Sequence, residues 1–192
     1  MYKIILASNS PRRRELLSGL GLEFEVKVIP GISEDYPSGI SAEEVAKYIA
    51  KEKAEPYRIG NMVKSGELVL TADTIVVIDG EILGKPQNDD DAKIMLRKLS
   101  GKTHQVITGV CFTTLERQYS FAVETDVTFK ELAEEEICYY VEKYHPLDKA
   151  GAYGIQEWIG YVGVTRMEGS YFNVMGFPIS RVYDALQQLG VF

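Results

Sequence analysis

The chain has 192 residues, 45% of them hydrophobic and 26% charged, and its 28 acidic against 21 basic residues leave a net charge of −7. That length is enough for a single domain with a well-buried core, and the acidic balance argues against a non-specific nucleic-acid binder while leaving room for a small anionic ligand. There is no apolar run of about eighteen residues and no charged-then-apolar leader, so a cytoplasmic protein without a membrane partner is expected, and Cys111 and Cys138 lack the spacing for a disulfide or zinc framework.

In chain order, Tyr2–Ala7 reads as a short buried strand. Ser10-Pro11 follows as an N-cap with proline at the first helical position, opening a helix whose first turn carries Arg12, Arg13 and Arg14. Leu16, Leu17 and Leu20 define its inward face; at 100° per residue Arg13 projects onto that face, Arg14 away from it and Arg12 to one side. Free N–H groups, small residues before the helix and clustered guanidinium groups make an anion site, most naturally for phosphate.

Phe24–Ile29 reads as a strand broken by Pro30-Gly31, and the loop after it carries two acids, Glu34 and Asp35. Ser41-Ala-Glu-Glu44 is a capping box that opens a long helix with Ala42, Val45, Ala46 and Ile49 inward. Lys53 is the next residue on that stripe, whereas Lys47 and Lys51 point outward. Glu67–Ile78 has the composition of a central strand, yet Asp73 lies inside it. A buried carboxylate costs several kcal/mol unless held, so either the strand pauses there or a partner such as a metal ion holds the acid.

Asp79-Gly80 signals a type I′ hairpin into Glu81–Leu83, and Gly84-Lys85-Pro86 leaves the sheet, placing Lys85 at a strand end. The acid run Asn88–Asp91 caps a helix with Ala92, Met95, Leu96 and Leu99 inward and is no metal site. Gly101-Lys102-Thr103 mimics a P-loop but lacks the earlier glycine, which is Leu96, and precedes a strand rather than a helix. Thr103–Thr114 and Arg117–Lys130 read as a hairpin, and Ala133–His145 as a helix with Ile137, Tyr140, Val141 and Tyr144 inward. The small residues of Asp148–Gln156 let backbone pass close to a ligand, and Gln156 offers a donor and an acceptor to a planar edge. Ile159–Met167 suggests another strand, Gly169–Pro178 a glycine-bounded loop, and Ile179–Leu189 a closing helix.

Arg12, Arg13, Lys53 and Lys85 as cations, Asp73 and Glu34 as acids and Gln156 as a base-reading amide form the inventory for hydrolysing a nucleotide phosphoanhydride. The blocks Ser8–Leu17, Glu52–Ala54, Ala72–Thr74, Gly84–Pro86, Leu99–His104, Asp148–Gln156 and Gly169–Pro178 resemble, in order and along essentially the whole chain, the Maf family of nucleoside triphosphate pyrophosphatases. The resemblance implies one domain over residues 1–192 with a three-layer, mixed-sheet α/β fold similar to the inosine triphosphatases and two lobes around a central cleft. It implies cleavage between the α- and β-phosphates with a divalent metal; Glu34 and Asp73 are expected to hold a magnesium or manganese ion, directly or through water. Asp73 corresponds to the proton acceptor; Ser8, Arg12, Arg13, Lys53 and Lys85 are expected to bind phosphate. Arg12, Thr74 and Gln156 match the branch acting on dTTP and UTP, the sister branch for 7-methyl-GTP having Gln and Glu at the last two positions. Modified pyrimidine nucleotides as substrates, a homodimer, and a non-catalytic role as a nucleotide-binding regulator of cell division are the further possibilities the resemblance brings.

Overall fold

A computed structural model describes residues 2–192. Its strands are β1 (Lys3–Leu6), β2 (Phe24–Val26), β3 (Glu67–Ile78), β4 (Glu81–Leu83), β5 (Thr103–Thr113), β6 (Gln118–Phe129) and β7 (Val164–Glu168). The helices are α1 (Pro11–Ser18), α2 (Ala42–Ile59), α3 (Asp89–Leu99), α4 (Glu134–Tyr144), α5 (Trp158–Gly163), α6 (Tyr171–Val174) and α7 (Ile179–Gln188), with a single 3₁₀ turn at Ala150–Ala152. The strands form one mixed sheet in the order β2-β1-β3-β5-β6-β7, and β4 pairs with β3. β1 runs parallel to both β2 and β3, whereas β3–β4 and β6–β7 are antiparallel. Among the described residues no helix is long and apolar enough to cross a membrane.

The chain forms two compact units, neither contiguous in sequence. The first comprises residues 1–73, 108–123 and 176–192, the second 74–107 and 124–175. In the first unit, strand alternation sorts side chains to two faces. Ile4, Leu6, Leu68, Leu70 and Ala72 share one core with Leu17 of α1 and Val182 and Leu186 of α7. Ile5 and Val69 face the other way, onto Tyr57 of α2. Thr71, of the same parity as Val69, donates its hydroxyl to the Ala50 carbonyl of α2 at 2.6 Å. Helices therefore cover both faces of this part of the sheet, which gives the first unit three layers. α2 lies so close that a Cβ on Gly109 of β5 would sit 2.2 Å from the Ala46 carbonyl oxygen.

The predicted N-cap bonds form at atomic level, although the Glu44 carboxylate of the expected capping box pairs with Lys47. Ser10 Oγ accepts from the Arg13 N–H, Ser41 Oγ from the Glu44 N–H and Asn88 Oδ1 from the Asp91 N–H. Asp79 and Gly80 take φ of 51° and 79°, the left-handed pair that a type I′ turn requires. Three expectations are corrected. The strand expected at Phe24–Ile29 ends at Val26. Ile159–Gly163 is helical, and only Val164–Glu168 is a strand. The N–H groups of Gly160 and Tyr161 turn back to the Glu157 carbonyl, so local hydrogen bonds override the β-propensity of Ile, Tyr and Val. Gly169–Pro178 is not all loop, because Ser170 Oγ caps α6 by accepting from the Asn173 N–H at 3.2 Å.

In the second unit α3 and α4 are bound by Arg97, whose Nε donates to Glu134 Oε2 at 2.9 Å. Beneath them His104, Phe129 and Tyr153 pack edge to face with centroids 4.9–5.3 Å apart. His104 is fully buried; its Nε2 lies 2.7 Å from the Tyr153 hydroxyl, and its Nδ1 has no partner. Burial lowers the His104 pKa from 6.5 to about 4. The unfolded chain therefore binds a proton between these values that the folded chain excludes. Stability should be fully present above pH 6.5 and fall as the pH drops toward 4, by about 3 kcal/mol from this residue. Chemical denaturation across that window should lose most of this slope in His104→Phe.

Candidate active site

Asp73 points from β3 toward α2, because it shares the parity of Val69 and Thr71. β1 pairs with Glu67–Leu70 and β4 with Val76–Ile78, so Thr71–Ile75 lies outside both registers. The Asp73 side chain is 9% exposed, and Lys53 Nζ donates to its Oδ1 at 2.6 Å. The same ammonium lies 2.8 Å from Glu34 Oε1, so two carboxylates converge on one cation. The strand does not pause at Asp73; the partner that holds the acid in this structure is Lys53.

Arg13 enters from the other helix. Its Nε donates to the Gly176 carbonyl and its Nη1 to the Ala72 carbonyl, both at 2.8 Å. Ala72 is beyond the reach of the β1 register, so a guanidinium takes the place of a neighbouring strand on the residue before Asp73. Burial lowers the Arg13 pKa; the Asp73 carboxylate opposes that, Arg12 alongside reinforces it, and Glu34 opposes it again. Its guanidinium remains a fixed positive charge at physiological pH. Ser8 is buried, and its Oγ accepts from the Ser10 N–H at 3.2 Å and from Arg13 Nη1 at 3.4 Å. In the first unit the structure thus brings together Ser8, Arg13, Glu34, Lys53 and Asp73, with Arg12 close enough to act on Arg13.

Thr74, Lys85 and Gln156 belong to the second unit. Thr74 and Gln156 are partly buried and Lys85 is exposed. The turn at Ala150–Ala152 fixes their surroundings. Gly151 N–H bonds to the carbonyl of Gly84, the residue before Lys85, at 3.0 Å. Gly151 has φ +68°, and a Cβ there would lie 2.9 Å from Val76 Cγ2, two residues beyond Thr74. Ala152, buried, also has positive φ, 59°; such a conformation costs a non-glycine residue roughly 1–2 kcal/mol.

Sequence reasoning missed Tyr140 as a functional candidate and passed over Glu157. Tyr140 is fully buried, as its place on the inward stripe of α4 predicts, but its hydroxyl donates to Glu157 Oε2 and accepts the Gly154 N–H. The available signal was the pair of charges, Lys149 and Glu157, that flanks the small-residue run. Gly176, whose carbonyl receives Arg13, gave no sign beyond its place in the Gly169–Pro178 block. Among the described residues no group of three or more His, Cys, Asp or Glu could hold a metal ion.

Comparison with known proteins adds to this geometry. A family model described as Maf-like protein matches residues 3–189. A dTTP/UTP pyrophosphatase of Phocaeicola vulgatus is 63% identical over 188 residues, 98% of this chain and 96% of that protein. Proteins of the same name from Bacteroides thetaiotaomicron and Porphyromonas gingivalis are 56% and 54% identical, each over 98% of this chain and 96% and 95% of their own lengths. Among solved structures, a HAM1 protein from Coxiella burnetii is 16% identical with a TM-score of 0.48, over 98% of this chain and 100% of that one.

The Lys53–Asp73 pair sets its own test. Lys53→Met leaves a buried carboxylate unpaired and should cost roughly 3 kcal/mol, measured by urea denaturation at pH 7. Adding Asp73→Asn to that variant should restore much of the loss, whereas two independent residues would give additive losses.

Proposed function

This chain belongs to the Maf family, and from that membership we propose that it is a nucleoside triphosphate pyrophosphatase converting dTTP and UTP to the monophosphate and pyrophosphate. The observation that carries the chemical part of the reading is the carboxylate of Asp73, buried in mid-strand and ion-paired with Lys53. Near-complete coverage of relatives named for this activity, at 54–63% identity, supports the substrate class.

In this reading Arg12, Arg13, Lys53 and Lys85 bind the triphosphate, assisted by Ser8 and the N–H groups at the start of α1. Arg13 contributes chiefly as a fixed charge, since two of its donors already hold backbone carbonyls. Water attacks the α-phosphorus, the bond from that phosphorus to the α,β-bridging oxygen breaks, and pyrophosphate leaves with the electron pair. Asp73 orients the water and takes its proton. Thr74 and Gln156 read the pyrimidine edge, a hydroxyl and an amide that together offer donors and acceptors.

Glu34 and Asp73 are also the residues to hold a divalent ion. Their oxygens already converge on one positive charge, the Lys53 ammonium, and magnesium or manganese is commonly held by one or two carboxylates together with substrate phosphates. When bound, such an ion neutralises phosphate charge. The cytoplasm, where nucleoside triphosphates occur, is the compartment that fits this activity.

Asp73→Asn keeps the volume and the contact with Lys53 but removes the base. Pyrophosphate release from dTTP with added magnesium or manganese should fall on the order of 10³-fold while the melting temperature changes little. A variant within tenfold of wild type would remove Asp73 from the chemistry, and a wild type that spares dTTP and UTP would refute the substrate assignment.

A further inference from the structure

Gln156 is the third residue of the turn Gly154-Ile155-Gln156-Glu157, closed by the Glu157 N–H on the Gly154 carbonyl at 3.0 Å. Three polar side chains grip both ends of that turn, Tyr140 and Lys149 buried and Glu157 half-buried. At its start the Gly154 N–H donates to the Tyr140 hydroxyl at 3.0 Å. At its end the Glu157 carboxylate accepts a hydrogen bond from that hydroxyl on Oε2 and pairs with the Lys149 ammonium through Oε1, the latter at 3.1 Å. Lys149 is 10% exposed along its side chain and also reaches Asp148 Oδ1 at 2.8 Å. The grip bears directly on the backbone: a Cβ on Gly154 would lie 2.9 Å from Glu157 Cδ and 3.1 Å from Lys149 Cε. Ile155 is pressed from behind, since its carbonyl oxygen would stand 1.9 Å from a Cβ on Gly160.

A Lys–Glu pair that is buried on one side is a poor source of stability, because desolvating the charges offsets most of their attraction. What such a network supplies is one fixed geometry. An amide that distinguishes one base edge from another must be held to within about 0.5 Å, and the two residues before Gln156 and the one after it are all fixed here. We propose that Tyr140, Glu157 and Lys149 are positioning residues for nucleobase selection, acting through the Gln156 turn. The proposal rests on the reading of Gln156 as the residue that contacts the base. The Tyr140 hydroxyl keeps its proton at any physiological pH, since burial and the Glu157 carboxylate both raise its pKa.

The test is a double-mutant cycle on base preference, with Tyr140→Phe, Gln156→Ala, their combination, and Glu157→Gln as a second disruption in case Tyr140→Phe does not fold. Loss of one buried hydrogen bond at the clamp should lower the ratio of kcat/KM for UTP over CTP by about fivefold or more, with the change falling on the KM for UTP rather than on kcat. In the double variant the preference should be no lower than in Gln156→Ala alone. Amide exchange of the Gly154–Glu157 segment should quicken in both clamp variants with no nucleotide present. Unchanged exchange, a UTP preference retained within twofold, or a loss that adds to that of Gln156→Ala would each overturn the proposal. A wild type releasing no pyrophosphate from dTTP or UTP would overturn the functional reading instead, and the exchange data would still report whether the clamp fixes the turn.

Discussion

A carboxylate held in the middle of a strand by one ammonium group is the constraint around which the first unit is arranged. Asp73 cannot sit uncompensated where it does, so α2 must deliver Lys53 to it, and α2 must lie flat on the sheet to do so. Gly109 permits that close approach, and Thr71 fixes the helix by bonding to the Ala50 carbonyl. The loop carrying Glu34 then closes on the same ammonium. On the neighbouring residue Arg13 satisfies the Ala72 carbonyl that no β1 residue reaches. Charge pairing at one position thus dictates the contacts of two helices and a loop.

Much of this arrangement was legible from two periodicities. Counting by two along Glu67–Ile78 separates Leu68, Leu70 and Ala72 from Val69, Thr71 and Asp73, and counting by 3.6 along the stripe Ala42, Val45, Ala46 and Ile49 puts Lys53 on the face of α2 that meets the second set. Each signal alone admits an ordinary explanation, a snorkelling lysine or a break in a strand. From sequence the two are not paired, a metal ion being the example of a partner for the acid; the fold brings them together. The turn and cap residues were equally readable because their chemistry is local: Ser10, Ser41, Asn88 and Asp79-Gly80 act within four residues of themselves.

Sequence reasoning failed at one short helix wound by local hydrogen bonds and at one side chain whose partners are distant in sequence. Ile159, Tyr161 and Val162 have strand character, but the Glu157 carbonyl captures the following N–H groups and winds them into α5. Tyr140 lies on an apolar stripe and reads as filler, since periodicity reports where a side chain goes and not what its hydroxyl meets there. Its partners Gly154 and Glu157 are 14 and 17 residues away. Ser8, Arg12, Arg13, Glu34, Lys53 and Asp73 lie in the first unit, and Thr74, Lys85 and Gln156 in the second.

The discontinuity of the first unit bears on how the chain is made. Its main core joins Ile4 and Leu6 of β1 and Leu17 of α1 with Phe177, Val182, Leu186 and Val191, which follow in sequence after all of the second unit. On a ribosome β1 and α1 emerge before the second unit but remain without the apolar face of α7 until all of that unit has been made. The second unit, complete by Met175, is therefore the part able to consolidate first, while the nascent amino-terminal segment waits with part of its greasy surface bare, the stage at which chaperone capture or self-association competes most strongly with folding.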